Sequence, residues 1–272
     1  MRPIGVFDSG VGGLSVLRAL QVEMPLERFV YVADNAYAPY GEREDGLLRS
    51  RSHAIADYLI DSHHIKALVV ACNTATAAAI HTLRAQYPEL PIIGIEPALK
   101  PAAASSKTGV VGVMATRATL QSEKFNQLLK NLHGLATFVL QPCDGLADAI
   151  ERSDQRRIEN LCKQYTGAMG PFGDAVGAMD SLVLGCTHYP FISAELNQCI
   201  GNRVALIDGG GPVARQTLRV LEKLQLQKTA VADGPSTAAG TLFYSSGNTE
   251  LLDSAVQRWL RKNTRSLALK AG

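Results

Sequence analysis

Two segments of the chain repeat one pattern: Leu68-Val69-Val70-Ala71-Cys72-Asn73-Thr74 and Leu182-Val183-Leu184-Gly185-Cys186-Thr187-His188. Each runs from an apolar stretch through one small residue to a cysteine, then to hydroxyl, amide or imidazole side chains. A cysteine that ends a buried strand is ordinarily a small hydrophobe. Two in echoed positions, each followed at once by polar residues that a core would avoid, point instead to chemistry. A hydrolase or redox enzyme uses one activated thiolate with an ordered base, or two thiols close enough to form a disulfide. A matched pair on opposite walls suits a reaction with opposite faces. Taking a proton from one face of a stereocentre and returning one to the other needs an acid and a base of similar strength that exchange roles with direction.

Each thiol needs help to ionise, because an unperturbed cysteine, at about 8.5, is only a few per cent thiolate at neutral pH. Asp8 ends the apolar run Gly5-Val6-Phe7-Asp8-Ser9-Gly10, and His188 follows Cys186 by two residues. An imidazolium favours a neighbouring thiolate, whereas a carboxylate accepts a proton or orients an amine, so the two sides differ in their helpers. Ser9, Tyr40, Asn73, Thr74, Thr116, Thr119 and Thr187 lie at expected strand ends or in the loops after them. With backbone N–H groups, these uncharged side chains could hold the carboxylates of an amino acid without committing an arginine. Their alternative use is helix capping, above all at Thr119, which is expected to cap a helix over residues 121–132.

Other candidates carry less. Gly10-Val11-Gly12-Gly13 follows the first strand, but its spacing fits neither GxGxxG nor GxxxxGK[ST]. It reads as glycines that let the backbone approach closely and support Asp8 and Ser9. His63-His64 lacks nearby acidic or cysteine partners, and no metal site is expected. Cys143, Cys162 and Cys199 lack the echoed strand-end pattern and read as structural.

Positioning these residues falls to short apolar runs that alternate with helical patterns: 4–7, 29–33, 67–71, 92–95, 109–114, 137–140, 181–184 and 204–207. That rhythm predicts parallel α/β structure with strands buried on both faces, and places each cysteine at the carboxyl end of a strand, where open sheets bind ligands. The proline-bearing stretch 94–101 and the glycine-rich 208–212 divide the chain. The expected organisation is a first α/β domain over 1–96 and 209–272 and a second over 97–208. The C-terminal portion should carry a helix over 213–224, a polar loop, a strand over 241–244 and a helix over 251–262.

Composition bounds the rest. The 272 residues are 46% hydrophobic and 19% charged, which excludes disorder. The 27 lysines and arginines against 25 acidic residues leave a net charge of +2 with mixed signs, so no nucleic-acid partner is expected. The cluster Arg258, Arg261, Lys262 and Arg265 beside Trp259 reads as the solvated face of a helix. No apolar run is long enough to span a bilayer, and no signal-peptide h-region precedes the first strand, so a cytoplasmic protein is expected. Five cysteines, an odd number without a CxxC pair, argue against a disulfide framework and a zinc site.

Taken together, Gly5-Val6-Phe7-Asp8-Ser9-Gly10-Val11-Gly12-Gly13-Leu14, Asp34-Asn35 with Pro39-Tyr40-Gly41, Ala71-Cys72-Asn73-Thr74-Ala75, Gly94-Ile95-Glu96-Pro97 and Leu184-Gly185-Cys186-Thr187-His188-Tyr189-Pro190 resemble the glutamate racemases. These are cofactor-independent members of the aspartate/glutamate racemase family that supply D-glutamate for bacterial peptidoglycan. The resemblance runs from residue 4 to about residue 208. It implies two α/β domains related by a pseudo-two-fold axis with an active-site cleft between them, and a homodimer. It implies Cys72 as the base toward D-glutamate and Cys186 toward L-glutamate, with Asp8, His188 and Glu151 assisting. Ser9, Pro39, Tyr40, Gly41, Asn73, Thr74, Thr116, Thr119 and Thr187 would bind substrate. Ala115 and Ala118 stand where such enzymes usually have glycine, and the serine common after the residue matching Asp208 is replaced by Gly209. Some relatives carry an N-terminal extension and need a cell-wall precursor as activator. With the first strand starting near residue 4, activity without one is expected. The rival readings are an aspartate racemase, whose substrate is one methylene shorter, and a non-catalytic two-domain protein that closes on an amino acid. A pyridoxal enzyme is disfavoured because no lysine sits among the strand-end motifs.

Overall fold

The computed structural model describes residues 2–228 and 240–269, so the expected polar loop before Thr241 lies largely outside the described residues. The chain divides into two compact units, Met1–Ile95 with Gly210–Gly272, and Glu96–Gly209.

The first unit opens with β1 (Ile4–Asp8), α1 (Leu14–Glu23), β2 (Phe29–Ala33), α2 (Asp45–His63), β3 (Ala67–Val70), α3 (Asn73–Gln86) and β4 (Ile92–Gly94). The second contains α4 (Leu99–Ser105), β5 (Val110–Ala115), α5 (Arg117–Gln121), α6 (Glu123–Asn131), β6 (Thr137–Pro142), α7 (Leu146–Glu151), α8 (Gln155–Met169), β7 (Ser181–Leu184), α9 (Ser193–Ile200) and β8 (Ala205–Asp208). The chain then adds α10 (Gly210–Lys223), β9 (Thr241–Ser245), α11 (Thr249–Leu260) and β10 (Leu267–Ala268) to the first unit.

Among the described residues, every strand pairing is parallel. The first sheet has the order β10-β9-β2-β1-β3-β4 and the second β6-β5-β7-β8. In both, the order reverses about a central pair, β1 with β3 and β5 with β7. At such a reversal the connections leave to opposite sides and open a crevice beyond the carboxyl ends of the two strands. Asp8 and Cys72 follow from the first pair, Thr116 and Cys186 from the second.

Central strands β1, β2, β3 and β7 are buried throughout, as continuous apolar runs covered on both faces must be. The expectation of double-sided burial fails at β6 and β8, which are partly exposed. Both are edge strands of the smaller sheet, with a neighbour on one side only. Under the first sheet, Phe7, Val32, Leu68 and Val70 pack with Ile55 and Leu59 of α2 and Leu83 of α3. In the second unit, Val111, Val113 and Val183 pack with Leu99 and Phe125.

Three local expectations are corrected. The helix after β5 is split at Ser122, which is extended and caps α6 by accepting from the Phe125 amide at 3.1 Å. Thr119 therefore caps nothing; it lies inside α5, whose cap is Thr116. The last helix stops at Leu260 because Arg261 adopts a left-handed conformation, so Lys262 and Arg265 lie beyond it. Finally, β10, too short to show in the hydropathy pattern, adds an edge strand beside β9.

Candidate active site

In the first unit the site grows from the ends of β1 and β3. Asp8 is fully buried; its Oδ1 accepts from the Gly10 amide at 2.9 Å and the Ser9 hydroxyl at 3.4 Å. Gly13 is required here: a Cβ on it would lie 2.5 Å from the Asp8 Cβ and 2.8 Å from the Tyr31 hydroxyl. That hydroxyl ties the turn down by donating to the Gly10 carbonyl at 2.7 Å. The glycine-rich turn thus serves close approach around Asp8.

Cys72 stands at the N-cap of the fourteen-residue α3, and its Sγ accepts from the Ala75 amide at 3.5 Å. A helix N-terminus favours the thiolate through its unpaired N–H groups and dipole. The Cys72 thiol also donates to the Ser9 hydroxyl at 3.7 Å, which links it to Asp8 through Ser9. Asn73 and Thr74 open α3 and are buried, and Asn73 Oδ1 is buried without a hydrogen-bond partner.

Pro39, Tyr40 and Gly41 form the turn between β2 and α2, and Tyr40 belongs to the apolar cluster that contains Cys72. The Tyr40 hydroxyl donates to Asp34 Oδ2 at 2.6 Å. Asp34 is gripped by the Arg51 fork, Nε to Oδ2 at 3.1 Å and Nη2 to Oδ1 at 3.0 Å. Sequence reasoning gave neither Asp34 nor Arg51 a role. The available signal was Arg51 on the apolar stripe Leu48, Ser52, Ile55 and Leu59 of α2, where a charge needs a buried partner.

In the second unit, Gly185, Cys186, Thr187 and His188 follow β7. Gly185 lets this turn approach β5, since a Cβ there would meet Ala115 Cβ at 2.8 Å and the Met114 carbonyl at 3.0 Å. Cys186 Sγ lies 3.7 Å from His188 Nδ1, and His188 Nε2 lies 2.6 Å from Glu151 Oε2. Glu151 is the last residue of α7 and its side chain is nearly buried, whereas its neighbour Asp144 pairs with Arg117 and Asp148 with Arg152 and Arg157 at the surface. Burial alone would push His188 down, but hydrogen bonds and charge from Cys186 and Glu151 hold it well above the ordinary histidine range. The same two contacts orient the imidazole between Cys186 and Glu151.

Thr187 is buried beside Cys186 in the chain. Thr116 Oγ1 donates to Thr119 Oγ1 at 2.9 Å while accepting from the Thr119 amide at 3.2 Å, so these two hydroxyls act as one unit at the end of β5. Cys143 and Cys162 are buried and are not poised to react. Burial pushes Cys143 far up and Cys162 up to about 12, and neither has a cation among the groups that shift it. Among the described residues, no group of three or more histidine, cysteine or acidic side chains could hold a metal, and no helix is long and apolar enough to cross a membrane.

Fold and site together define an α/β enzyme with a thiol at the reversal point of each sheet. A family model for Asp/Glu/hydantoin racemases matches residues 15–217. A glutamate racemase of Ralstonia nicotianae is 46% identical over 235 residues, 86% of this chain and 82% of that protein. Among solved structures, a glutamate racemase isoform of Bacillus anthracis matches with a TM-score of 0.84 at 28% identity, covering 99% of this chain and 97% of that one. The Escherichia coli glutamate racemase, solved with L-glutamate and the activator UDP-MurNAc-Ala, matches with a TM-score of 0.80 at 27% identity, covering 98% of both chains. The chain belongs to the Asp/Glu/hydantoin racemase family, and is thus an isomerase of the racemase class.

Proposed function

We propose that the protein interconverts L- and D-glutamate by a two-cysteine 1,1-proton transfer that needs no cofactor. The observation that carries this reading is that the two echoed cysteines have separate helpers. Cys72 has a helix N-terminus, Ser9 and Asp8, and Cys186 has His188 backed by Glu151. Toward D-glutamate, the Cys72 thiolate takes the α-proton and Cys186 delivers its thiol proton to the opposite face of the carbanion. Toward L-glutamate the roles reverse. The bond that breaks is Cα–H on one face, the bond that forms is Cα–H on the other, and the thiols exchange protonation states.

Ser9, the Pro39-Tyr40-Gly41 turn, Asn73, Thr74, Thr116, Thr119 and Thr187 would hold the substrate. Asn73 Oδ1, buried without a partner, is the acceptor suited to the substrate ammonium. D-Glutamate made in this way would serve peptidoglycan synthesis in the cytoplasm, and the protein would work as a homodimer, which light scattering checks.

The deciding experiment incubates the purified protein with L- or D-glutamate in deuterated water, following optical activity and loss of the α-proton signal. Racemisation with solvent deuterium entering the α-position is expected. Change with aspartate alone would move the substrate one methylene shorter, and no change with either would leave a binding protein.

A further inference from the structure

A cavity of about 410 Å³ opens where β1, β2 and β9 begin, at the amino ends of these parallel strands. Asp8 and Cys72 follow carboxyl ends, so the length of β1, about 16 Å of strand, separates this cavity from the thiol. The strand starts are held in register. The Ile4 amide donates to the Arg28 carbonyl at 2.9 Å and the Phe29 amide to the Gly240 carbonyl at 3.1 Å. The end of α2 supplies another wall and stops at His64 in a left-handed conformation.

The walls are basic. Arg2, Arg28, His63 and His64 line them, and no lining residue is acidic. Among the described residues, neither guanidinium has an ion pair. Glu27, the acid beside Arg28 in the chain, is buried and committed elsewhere: it holds the Lys66 ammonium at 2.7 Å and accepts from the Lys228 amide at 2.8 Å. His63 packs against Tyr58 and Tyr244, with ring centres 5.6 and 5.2 Å away, and its Nε2 is buried without a hydrogen-bond partner among the described residues. Burial, and then the charge of His64, push His63 below the ordinary histidine range, a repulsion that an anion between them would relieve.

We propose that this cavity is a binding site for a small organic phosphate, separate from the thiols. Arginine forks match phosphate oxygens two at a time and keep their charge throughout the physiological range. A phosphate ester concentrates a charge of about −1.5 to −2 on one group at pH 7, which answers two guanidiniums, whereas a carboxylate brings only one. The volume lies within the range of small-molecule sites and exceeds what a lone phosphate fills. Leu242, on the same wall and 43% exposed, offers apolar surface for the organic part. None of these residues belongs to the thiol sites, so the inference stands apart from the racemase reading.

Calorimetry on the full-length protein tests this with phenyl phosphate, inorganic phosphate and benzoate as probes. Phenyl phosphate should bind several-fold more tightly than either of the others. The double variant Arg2→Gln/Arg28→Gln, altered only at exposed side chains, should lose at least about 10-fold in affinity for it, the scale of lost charge-assisted hydrogen bonds. Arg203→Gln, an exposed arginine of the other unit, should lose nothing. Leu242→Ser should bring phenyl phosphate and inorganic phosphate closer in affinity. Histidine ring signals in NMR locate the ligand independently: those of His63 and His64 should move on addition of phenyl phosphate, and that of His188 should stay. The proposal is overturned if phenyl phosphate does not bind, if it binds the double variant as tightly as wild type, or if His188 moves in place of His63 and His64. Benzoate binding as tightly as phenyl phosphate overturns it as well. Racemisation should run at the wild-type rate in the double variant, so a protein that binds phenyl phosphate here but does not racemise would defeat the functional reading alone.

Discussion

The two cysteine-bearing strand ends share a backbone plan and differ in chemistry. Both follow the inner strand pair of a parallel sheet at the point where strand order reverses, and both need a glycine where two strand ends crowd together, Gly13 in one unit and Gly185 in the other. Their helpers are unlike. Cys186 has a relay, imidazole to carboxylate, drawn from β7's following turn and the end of α7. Cys72 has a helix N-terminus and the Ser9 hydroxyl, which in turn donates to Asp8. The comparison teaches that one backbone plan can surround its thiol by different means: an imidazole backed by a carboxylate on one side, helix amides and a hydroxyl on the other.

Mirror-image substrates have equal free energies, so any substitution must lower kcat/KM equally in both directions. The asymmetry between the halves has to be read from residue-resolved signals. The largest effect should come from the thiols themselves. Cys72→Ser and Cys186→Ser should each reduce racemisation about 10³-fold, the scale of a lost general acid or base, measured by the decay of optical activity. A wild-type rate in either variant breaks the two-base reading.

Next comes the relay. Glu151→Gln should reduce kcat/KM by roughly 10- to 100-fold, the worth of a hydrogen bond to a charged group, and lower the pH at which the His188 ring titrates by NMR. It should leave the pH midpoint for alkylation of Cys72 by iodoacetamide unchanged. The same variant has a stability signature. Because the His188 value is raised in the folded state, its stabilising contribution is fully present below the unfolded value of about 6.5 and is lost as pH rises through the folded value. The melting-temperature margin of wild type over Glu151→Gln should therefore be widest near pH 6 and shrink toward alkaline pH.

Backbone crowding is common to both halves, so its effect should be symmetric. Gly13→Ala and Gly185→Ala should each cost about 1–3 kcal/mol in urea unfolding, as overpacked core positions do. Gly13→Ala should also lower activity by shifting Asp8. The smallest signal is a control: Cys162, its thiol pushed up to about 12, should stay unalkylated at pH 8 under conditions that label Cys72 and Cys186.

Much of the architecture was legible because it follows from local pattern. The runs at 29–33 and 181–184 coincide with β2 and β7, since a doubly covered parallel strand is simply a continuous apolar segment bounded by turns. The edge strands read less well, because the same composition is half exposed when one neighbour is missing. Ser122 and Thr119 illustrate another limit: both are good caps by type, and only the extended backbone at Ser122 selects one of them. His188 could be placed near its cysteine from sequence spacing alone, whereas Ser9 reaches Cys72 only through the pairing of β1 with β3.

By itself, then, the sequence determined the thiol pair, the order of the strands along the chain, and the strings that mark a racemase. These depend on residue type and on separations of a few positions. Tertiary structure alone decided that β1 and β3 are neighbours, that Glu151 rather than Asp144 or Asp148 meets His188, and that Arg51 crosses from α2 to a carboxylate beyond β2. Each is a contact between elements distant in sequence, where several side chains of the same charge compete. The outcome is set by which one the packed core leaves buried, since a buried charge must find its partner and an exposed one need not.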